Sequence, residues 1–170
     1  VKDPSNSEIN EISDELVNVG TGKDIRSIVD AVIRSKTLSP NAINGLLKGL
    51  QQMYSNHASK SNIRFVTNIR RLIKHSDESV VHEAAQTLGI WKINRAGPEL
   101  VSLLKNSRHS FRTRQAASVA LAQFGKTEYF QTLQKVTQSG DIQTCYAALP
   151  GLVTCDLESG VVAMVAIMQE

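Results

Sequence analysis

The sequence predicts an all-α fold, an α-solenoid of about five stacked helical hairpins, and three observations lead to this prediction. Apolar residues recur at steps of three and four along the chain, which is the spacing of an amphipathic helix. No stretch of alternating polar and apolar residues is long enough to indicate a sheet. A pattern of about 30 residues recurs in the second half, which is typical of helical repeats rather than of one globular core.

Apolar stripes of about three turns each predict ten helices that are joined by short loops. Residues that favour helix starts stand between the stripes. Ser39-Pro40 places Pro in a first helical turn, and Ser76-Asp77, Gly97-Pro98 and Ser139-Gly140 precede other stripes. The predicted helices are 7–19, 23–35, 40–54, 62–75, 78–93, 98–106, 110–124, 127–138, 141–153 and 158–169.

The repeat is clearest where the segment 80–89 aligns with the segment 113–122. A weaker third copy is predicted after these two, with Leu149 and Leu152 aligned with Leu121 and Phe124. Each clear copy carries a pair of alanines, such as Ala116-Ala117. Small side chains allow neighbouring helices to approach closely, so we expect these pairs to lie between stacked hairpins.

Residues 113–125 read T-R-Q-A-A-S-V-A-L-A-Q-F-G and resemble the first helix of a HEAT-like repeat of the phycobilisome-lyase type. The pattern of that repeat is V-R-x-A-A-x-x-A-L-x-x-hydrophobic-G, and the resemblance is clear over 79–138. It implies a right-handed α-solenoid whose second helices line a concave surface, with armadillo repeats as the nearest alternative. Arg114 matches the Arg of the pattern and is interpreted as structural.

Composition excludes several classes of protein. Two Cys residues are too few for a disulfide scaffold or a multi-Cys zinc site. The longest apolar runs are too short to cross a membrane. Aromatic residues make up only 5%, which argues against nucleic-acid binding by base stacking.

The chain begins without Met at Val1 and ends just after an apolar stretch, 161–168. We therefore interpret 1–170 as a single HEAT-like domain taken from a longer, bacterial protein. Its compartment, cytoplasmic or periplasmic, would depend on that parent. A last helix over 158–169 with no further neighbour predicts self-association through its apolar side chains.

His82-Glu83 is the one pair with metal-ligand chemistry at a repeat position. HEAT-like deoxyhypusine hydroxylases hold two iron ions with several such pairs, and Val81-His82-Glu83-Ala84-Ala85 resembles one of them. The next repeat carries Gln115 and Ala116 at the corresponding positions, and one His with one carboxylate does not satisfy an iron centre. No catalytic motif occurs elsewhere, so we predict no metal, no cofactor and no enzymatic activity within this chain.

The remaining reactive or aromatic side chains are interpreted as structural. Cys145 and Cys155 would lie about 15 Å apart on one helix, too far for a disulfide, and Cys145 is predicted to be a core thiol. Trp91 takes an apolar repeat position and is predicted to lie in the core. The histidines outside the His-Glu pair have no acidic neighbour at a useful spacing, and we predict isolated surface side chains for His57, His75 and His109.

Charge is the one asymmetric feature. Residues 1–47 carry a net charge of −2, residues 48–135 carry +9, and residues 136–170 carry −4. Within the basic centre, four cations step along one face of the predicted helix 62–75 and its start: Lys60, Arg64, Arg71 and Lys74. A second cluster spans the following turn between hairpins: Lys105, Arg108, His109, Arg112 and Arg114.

A basic stripe on a second helix would face an acidic partner, although exposed helix faces are often charged without binding anything. We expect Lys60, Arg64, Arg71, Lys74, Arg108 and Arg112 to bind that partner. The predicted function is a protein-interaction scaffold with a concave basic surface. Three alternatives stay open: an accessory module of a larger haem or dehydrogenase protein, a binder of nucleic-acid phosphates resembling HEAT-like DNA glycosylases, and a phycobilin lyase subunit.

Overall fold

A computed structural model describes residues 11, 26, 29–30, 33, 38–57, 67–138 and 141–169. These residues form helices and no β-strand, as predicted. The predicted helices 7–19 and 23–35 lie outside the described residues apart from single positions. The helices are α1 (Pro40–His57), a 3-10 helix (Thr67–Lys74), α2 (Glu78–Ile90), a short 3-10 turn (Asn94–Ala96), α3 (Gly97–Lys105), α4 (Phe111–Gln123), α5 (Thr127–Thr137), α6 (Ile142–Cys155) and α7 (Leu157–Met168).

Side-chain caps set the starts of the first helices and correct the register of the third repeat. The Asp77 carboxylate accepts from the N–H groups of Ser79 and Val80 at the start of α2, and Ser110 and Asp141 cap α4 and α6 in the same way. Aligning the caps of α4 and α6 brings Leu152 to the position of Leu121. The predicted alignment, which placed Leu149 there, is therefore wrong by three positions.

The predicted α-helix 62–75 is corrected by the structure. Residues 62–66 lie outside the described part, and Thr67–Lys74 form a 3-10 helix. In a 3-10 helix, side chains three residues apart lie one above the other. Ile69 and Leu72 therefore share the face that is buried in the core, which the α-helical spacing of Ile69 and Ile73 did not predict.

The helices form two layers. The first helices of successive hairpins, α1, α2, α4 and α6, pack side by side. Each second helix packs against the first helix of the next hairpin: the 3-10 helix against α2, α3 against α4, and α5 against α6. The last helix, α7, packs against its own first helix, α6. The core therefore runs continuously along the stack.

Small residues set the spacing within the layer of first helices, as the alanine pairs predicted. Gly89 of α2 and Gly151 of α6 face α4 so closely that a side chain would collide with it. A Cβ at Gly89 would lie 2.6 Å from Ala120 Cα, and one at Gly151 would lie 2.6 Å from the Ser118 carbonyl carbon. Both contacts are with backbone, which does not move aside easily.

Trp91 closes the end of α2 in the core, as predicted. Its side chain is 1% exposed, its Nε1 donates to the Leu50 carbonyl at 2.9 Å, and its ring meets Tyr54 edge-on at 5.3 Å between centroids. The indole is thus anchored at its polar and apolar ends. It joins α1 to α2.

The ends of α2 and α4 show the repeat in the backbone. The Ile93 N–H donates to the Leu88 carbonyl at 2.9 Å, a bond that closes a Schellman motif around Lys92. Lys92 has a φ of +51°, and Gly125, the equivalent residue of the next repeat, has a φ of +66°. Because the left-handed residue ends the helix, α2 stops at Ile90 rather than at 93 as predicted.

Candidate functional site

The candidate site is the edge of the stack where second helices end and first helices begin. The cations Arg71 and Lys74 end the 3-10 helix just before α2, and Lys105, Arg108 and Arg112 surround the turn between α3 and α4. These five residues are called the basic edge below. Lys60 and Arg64, predicted for the same surface, lie outside the described residues.

Within the first part of the basic edge, Arg71 and Lys74 are exposed and three residues apart. The 3-10 geometry places such side chains on one face. Arg70 points differently, because its Nη1 lies 3.7 Å from Glu99 Oε1 of α3. That ion pair connects two neighbouring second helices and keeps Arg70 away from the face of Arg71 and Lys74.

The second part of the basic edge stands on a turn that is fixed to α2. The Ser110 N–H donates to Glu78 Oε1 at 2.7 Å, and His109 Nδ1 lies 2.8 Å from Glu78 Oε2. The Arg108 N–H donates to the Asn106 side-chain carbonyl at 3.1 Å. The backbone that presents the Arg108 and Arg112 side chains is therefore held on both sides.

The Glu78 carboxylate is the centre of this turn. Burial raises its pKa, but hydrogen bonds from His109, Thr113 and Ser110 outweigh it and lower the pKa of Glu78 from 4.5 to about 2. The carboxylate is thus ionised at neutral pH and is already saturated with donors. Its contacts are with the turn residues, and among the described residues it forms no ion pair with the cations of the basic edge.

Exposed cations of the basic edge have no carboxylate within ion-pair distance in the described part of the chain. This is true of Arg71, Lys74, Lys105, Arg108 and Arg112, whereas Lys48, Arg70 and Lys126 each pair with a Glu. The structure thus brings four of the six predicted partner-binding residues to one edge. Arg108 and Arg112 lie in and after a turn rather than on a second helix.

Arg114 is structural, as interpreted from the sequence. It is 2% exposed, its Nε donates to the Leu104 carbonyl at 2.9 Å, and its Nη2 donates to Thr144 Oγ1. Asp141 Oδ2 lies 3.9 Å from the same nitrogen. One guanidinium therefore ties the end of α3 and the start of α6 to the first turns of α4.

His109 and His75 correct a prediction, because neither is an isolated side chain. His109 contacts Glu78 of the previous hairpin, and His75 Nδ1 accepts from the Asp77 N–H at 3.0 Å. The local spacing along the chain could not show the first contact, since only the packing of two repeats creates it. His57 is outside the residues whose side chains are described.

The residues at the His82-Glu83 position do not fit an iron centre. Glu83 Oε2 accepts from Gln51 Nε2 at 3.1 Å, and Glu83 Oε1 lies 3.8 Å from Lys48 Nζ. In the register set by the caps, the third repeat carries Tyr146 and Ala147 at these positions, neither a His nor a carboxylate. The described residues contain no group of three or more His, Cys, Asp or Glu side chains that could hold a metal.

Comparison with protein families decides what kind of repeat this is. A family model described as HEAT repeats matches residues 66–149, which spans the stack from the 3-10 helix into α6. The chain is a HEAT-like helical repeat protein. HEAT repeats often mediate protein interactions, and these form a helical repeat scaffold.

A solved structure similar to this HEAT-like chain is human deoxyhypusine hydroxylase in complex with glycerol, with a TM-score of 0.55 and 21% sequence identity. The match covers 91% of this chain and 48% of that one, so the chain spans about half the length of its structural relative. At this identity the likeness concerns the fold. No curated protein matches in sequence.

The two cysteines of the HEAT-like stack both lie on α6, and they are not joined in a disulfide. Cys145 is buried and its Sγ donates to the Val136 carbonyl at 3.4 Å, as expected of a core thiol. Cys155 lies at the surface. Partial desolvation of its thiol and the negative charge of the neighbouring Asp156 raise the pKa of that thiol. A thiol with a raised pKa is protonated at neutral pH and is a poor nucleophile.

The last helix of the HEAT-like stack carries a row of exposed apolar side chains: Leu157, Val161, Val162, Met164, Val165 and Met168. Self-association through this helix stays a prediction. None of the helices in the described ranges is long and apolar enough to cross a membrane.

Two further exposed apolar side chains were missed by the sequence reasoning. Phe111 is 45% exposed and Ile142 is 49% exposed, and they are the first residues of α4 and α6. The signal was available in the repeat, because the same position in α2 is Glu78. A position that accepts a carboxylate in one repeat is a surface position in the next.

Proposed function

We propose that this chain is a protein-interaction scaffold whose basic edge binds an acidic segment of a partner protein. The observation that carries the proposal is a set of exposed cations without carboxylate partners among the described residues, two of which stand on a turn that Glu78 holds in place. Cations that are already paired gain little from a new anion, whereas unpaired ones are free to form charge-assisted hydrogen bonds with its carboxylates.

The distribution of charge supports a partner that is attracted from a distance. Residues 48–135 carry a net charge of +9, and acidic residues of this segment, such as Glu78, Glu83 and Glu99, are used in contacts within the fold. Such a surface raises the association rate of acidic partners. Because salt screens the attraction between exposed charges, binding should weaken as salt is added.

We also propose that the chain has no catalytic activity of its own. Two observations support this. The repeats that follow carry no His or carboxylate at the positions of His82 and Glu83, and the Glu83 carboxylate already contacts Gln51 and Lys48. The test is the iron content of the purified protein after incubation with Fe²⁺ and gel filtration. Stoichiometric iron that is lost in a His82→Ala variant would overturn this part of the proposal.

The binding proposal is tested with a fluorescent polyglutamate peptide in a titration followed by anisotropy. We expect binding that weakens at least about tenfold between low and physiological salt. The double variant Arg108→Glu, Arg112→Glu should lose most of that affinity. Lys135→Glu is the matched control, because Lys135 is also exposed but lies on α5, away from the basic edge.

Two results would contradict the binding proposal. One is equal affinity of the double variant and the control for polyglutamate. The other is much tighter binding of the wild type to a duplex DNA of equal charge than to the peptide, with loss of that DNA binding in the double variant. That result would assign the same cations to nucleic-acid phosphates.

A further inference from the structure

Exposed apolar side chains that the fold does not use lie beside the basic edge. Phe111 and Ile142 begin successive first helices, and each leaves about half of its side chain in solvent, 45% and 49%. Tyr146 follows one turn after Ile142 and is 37% exposed. The position in α2 that corresponds to Phe111 is Glu78, so this stack does not need an apolar residue there.

The starts of α4 and α6 are held next to each other. Arg114, in the first turns of α4, donates to Thr144 and lies 3.9 Å from Asp141, the cap of α6. Phe111 precedes Arg114 by three residues, and Ile142 directly follows Asp141. Since packed helices lie about 8–10 Å apart, the two apolar side chains stand on adjacent helix ends.

Cations flank Phe111, and the nearby carboxylates accept hydrogen bonds within the fold. Arg108 and Arg112 lie on either side of Phe111 in the chain, and both are exposed. Asp141 accepts hydrogen bonds from the Gln143 N–H and the Thr144 hydroxyl, while Glu78 is bound by the 109–110 turn. The exposed charges that directly adjoin Phe111 are therefore those of Arg108 and Arg112, and the two carboxylates are engaged in contacts within the fold.

We propose, resting on the proposed function, that the partner segment combines acidic residues with apolar anchors that contact Phe111 and Ile142. Contacts with carboxylate charges alone provide attraction but little selectivity. An apolar anchor that is buried on binding supplies both selectivity and a contribution that salt does not screen. The surface thus fits a mixed acidic–apolar peptide better than a uniformly acidic one.

The test compares two short synthetic peptides by fluorescence anisotropy. In the first, Glu residues flank two Leu residues, and in the second both Leu are replaced by Ser. We expect the wild type to bind the Leu peptide about fivefold to tenfold more tightly than the Ser peptide. Phe111→Ser should lower this preference, with the remainder due to Ile142, and should leave the salt dependence unchanged, because it removes no charge.

Leu157→Ser is the matched control, since Leu157 is 66% exposed on α7 and lies outside the basic edge. Melting curves of both variants should stay close to that of the wild type, because neither Phe111 nor Leu157 belongs to the core cluster or packs against it. Arg112→Glu should weaken both peptides and flatten the salt dependence.

Each outcome decides between this inference and the proposed function. If both peptides bind equally, or if Phe111→Ser keeps the full preference, the apolar anchor is wrong while the basic scaffold stands. If Leu157→Ser removes the preference, the peptide binds α7 and the inference fails. If neither peptide binds, the proposed function fails and takes the inference with it.

Discussion

Replacing Lys92 with Gly should stabilise the protein, although Gly usually weakens a fold. Lys92 has a φ of +51° and takes the same repeat position as Gly125, whose φ is +66°. Both residues end a first helix in the left-handed region. A side chain in that region costs about 1–2 kcal/mol, because the Cβ crowds the following carbonyl.

The gain in the folded state is partly offset by the unfolded chain. A Gly costs about 0.5–1 kcal/mol more than other residues when its backbone is fixed. The expected net stabilisation of Lys92→Gly is therefore about 0.5–1 kcal/mol. For a chain of this size that corresponds to a rise of about 1–4 °C in Tm.

Gly125→Ala is the reciprocal variant and isolates the backbone contribution. A Cβ at Gly125 meets no atom within 4 Å, so steric collision contributes nothing. We expect Gly125→Ala to destabilise by about 0.5–1 kcal/mol. The assay for both variants is urea unfolding followed by circular dichroism, with the slope of the transition compared to that of the wild type.

The reasoning would be refuted by a Lys92→Gly protein that is less stable than the wild type. A Gly125→Ala protein that is more stable would refute it equally. Either result would mean that the left-handed backbone at this repeat position carries no strain.

Three further substitutions or conditions test other contacts. Arg114→Ala should cost about 1–3 kcal/mol in the same unfolding assay, because it leaves the buried Leu104 carbonyl and Thr144 hydroxyl without their donor. The exposed Arg112→Ala should change stability by less than about 0.5 kcal/mol, and equal effects would deny Arg114 its structural role. Gly151→Ala should destabilise by at least about 1 kcal/mol, since its Cβ would collide with the Ser118 backbone, and an unchanged melting curve would contradict the close approach. The pKa of Glu78 is lowered to about 2, so its stabilising contribution is present above about pH 4.5 and is lost as the pH falls towards 2. A Glu78→Gln variant should lose less stability over that pH range, and parallel curves of stability against pH for the two proteins would exclude the contribution.

Much of the fold could be predicted because each helix carries its own start signal. Asp77, Ser110 and Asp141 cap helices that begin within one residue of the predicted starts. The third repeat was predicted in the wrong register, because its alignment used large apolar residues rather than the caps. The spacing of Ile69 and Ile73 is α-helical, but Thr67–Lys74 form a 3-10 helix in which Ile69 and Leu72 share the buried face, so periodicity over so short a segment gave the wrong helix type.

The site was predictable only in its charge. A run of cations is visible in the sequence, but which of them are paired depends on contacts between repeats, such as Arg70 with Glu99. Phe111 falls within the predicted helix 110–124, but the hydrophobic pattern gives no sign of which end residue leaves the core. Aligning Phe111 with Glu78, its equivalent in the preceding repeat, would have indicated that this position lies at the surface.

The guanidinium of Arg114 also has a consequence for how the stack opens. Repeat proteins unfold from their ends, because each unit is stabilised mainly by its neighbours. Arg114 binds three helices at once, so the units that contain α3, α4 and α6 should open together rather than one after another. Native-state hydrogen exchange would then show one slow, cooperative block centred on α4, with faster exchange in α7, which packs mainly on one side.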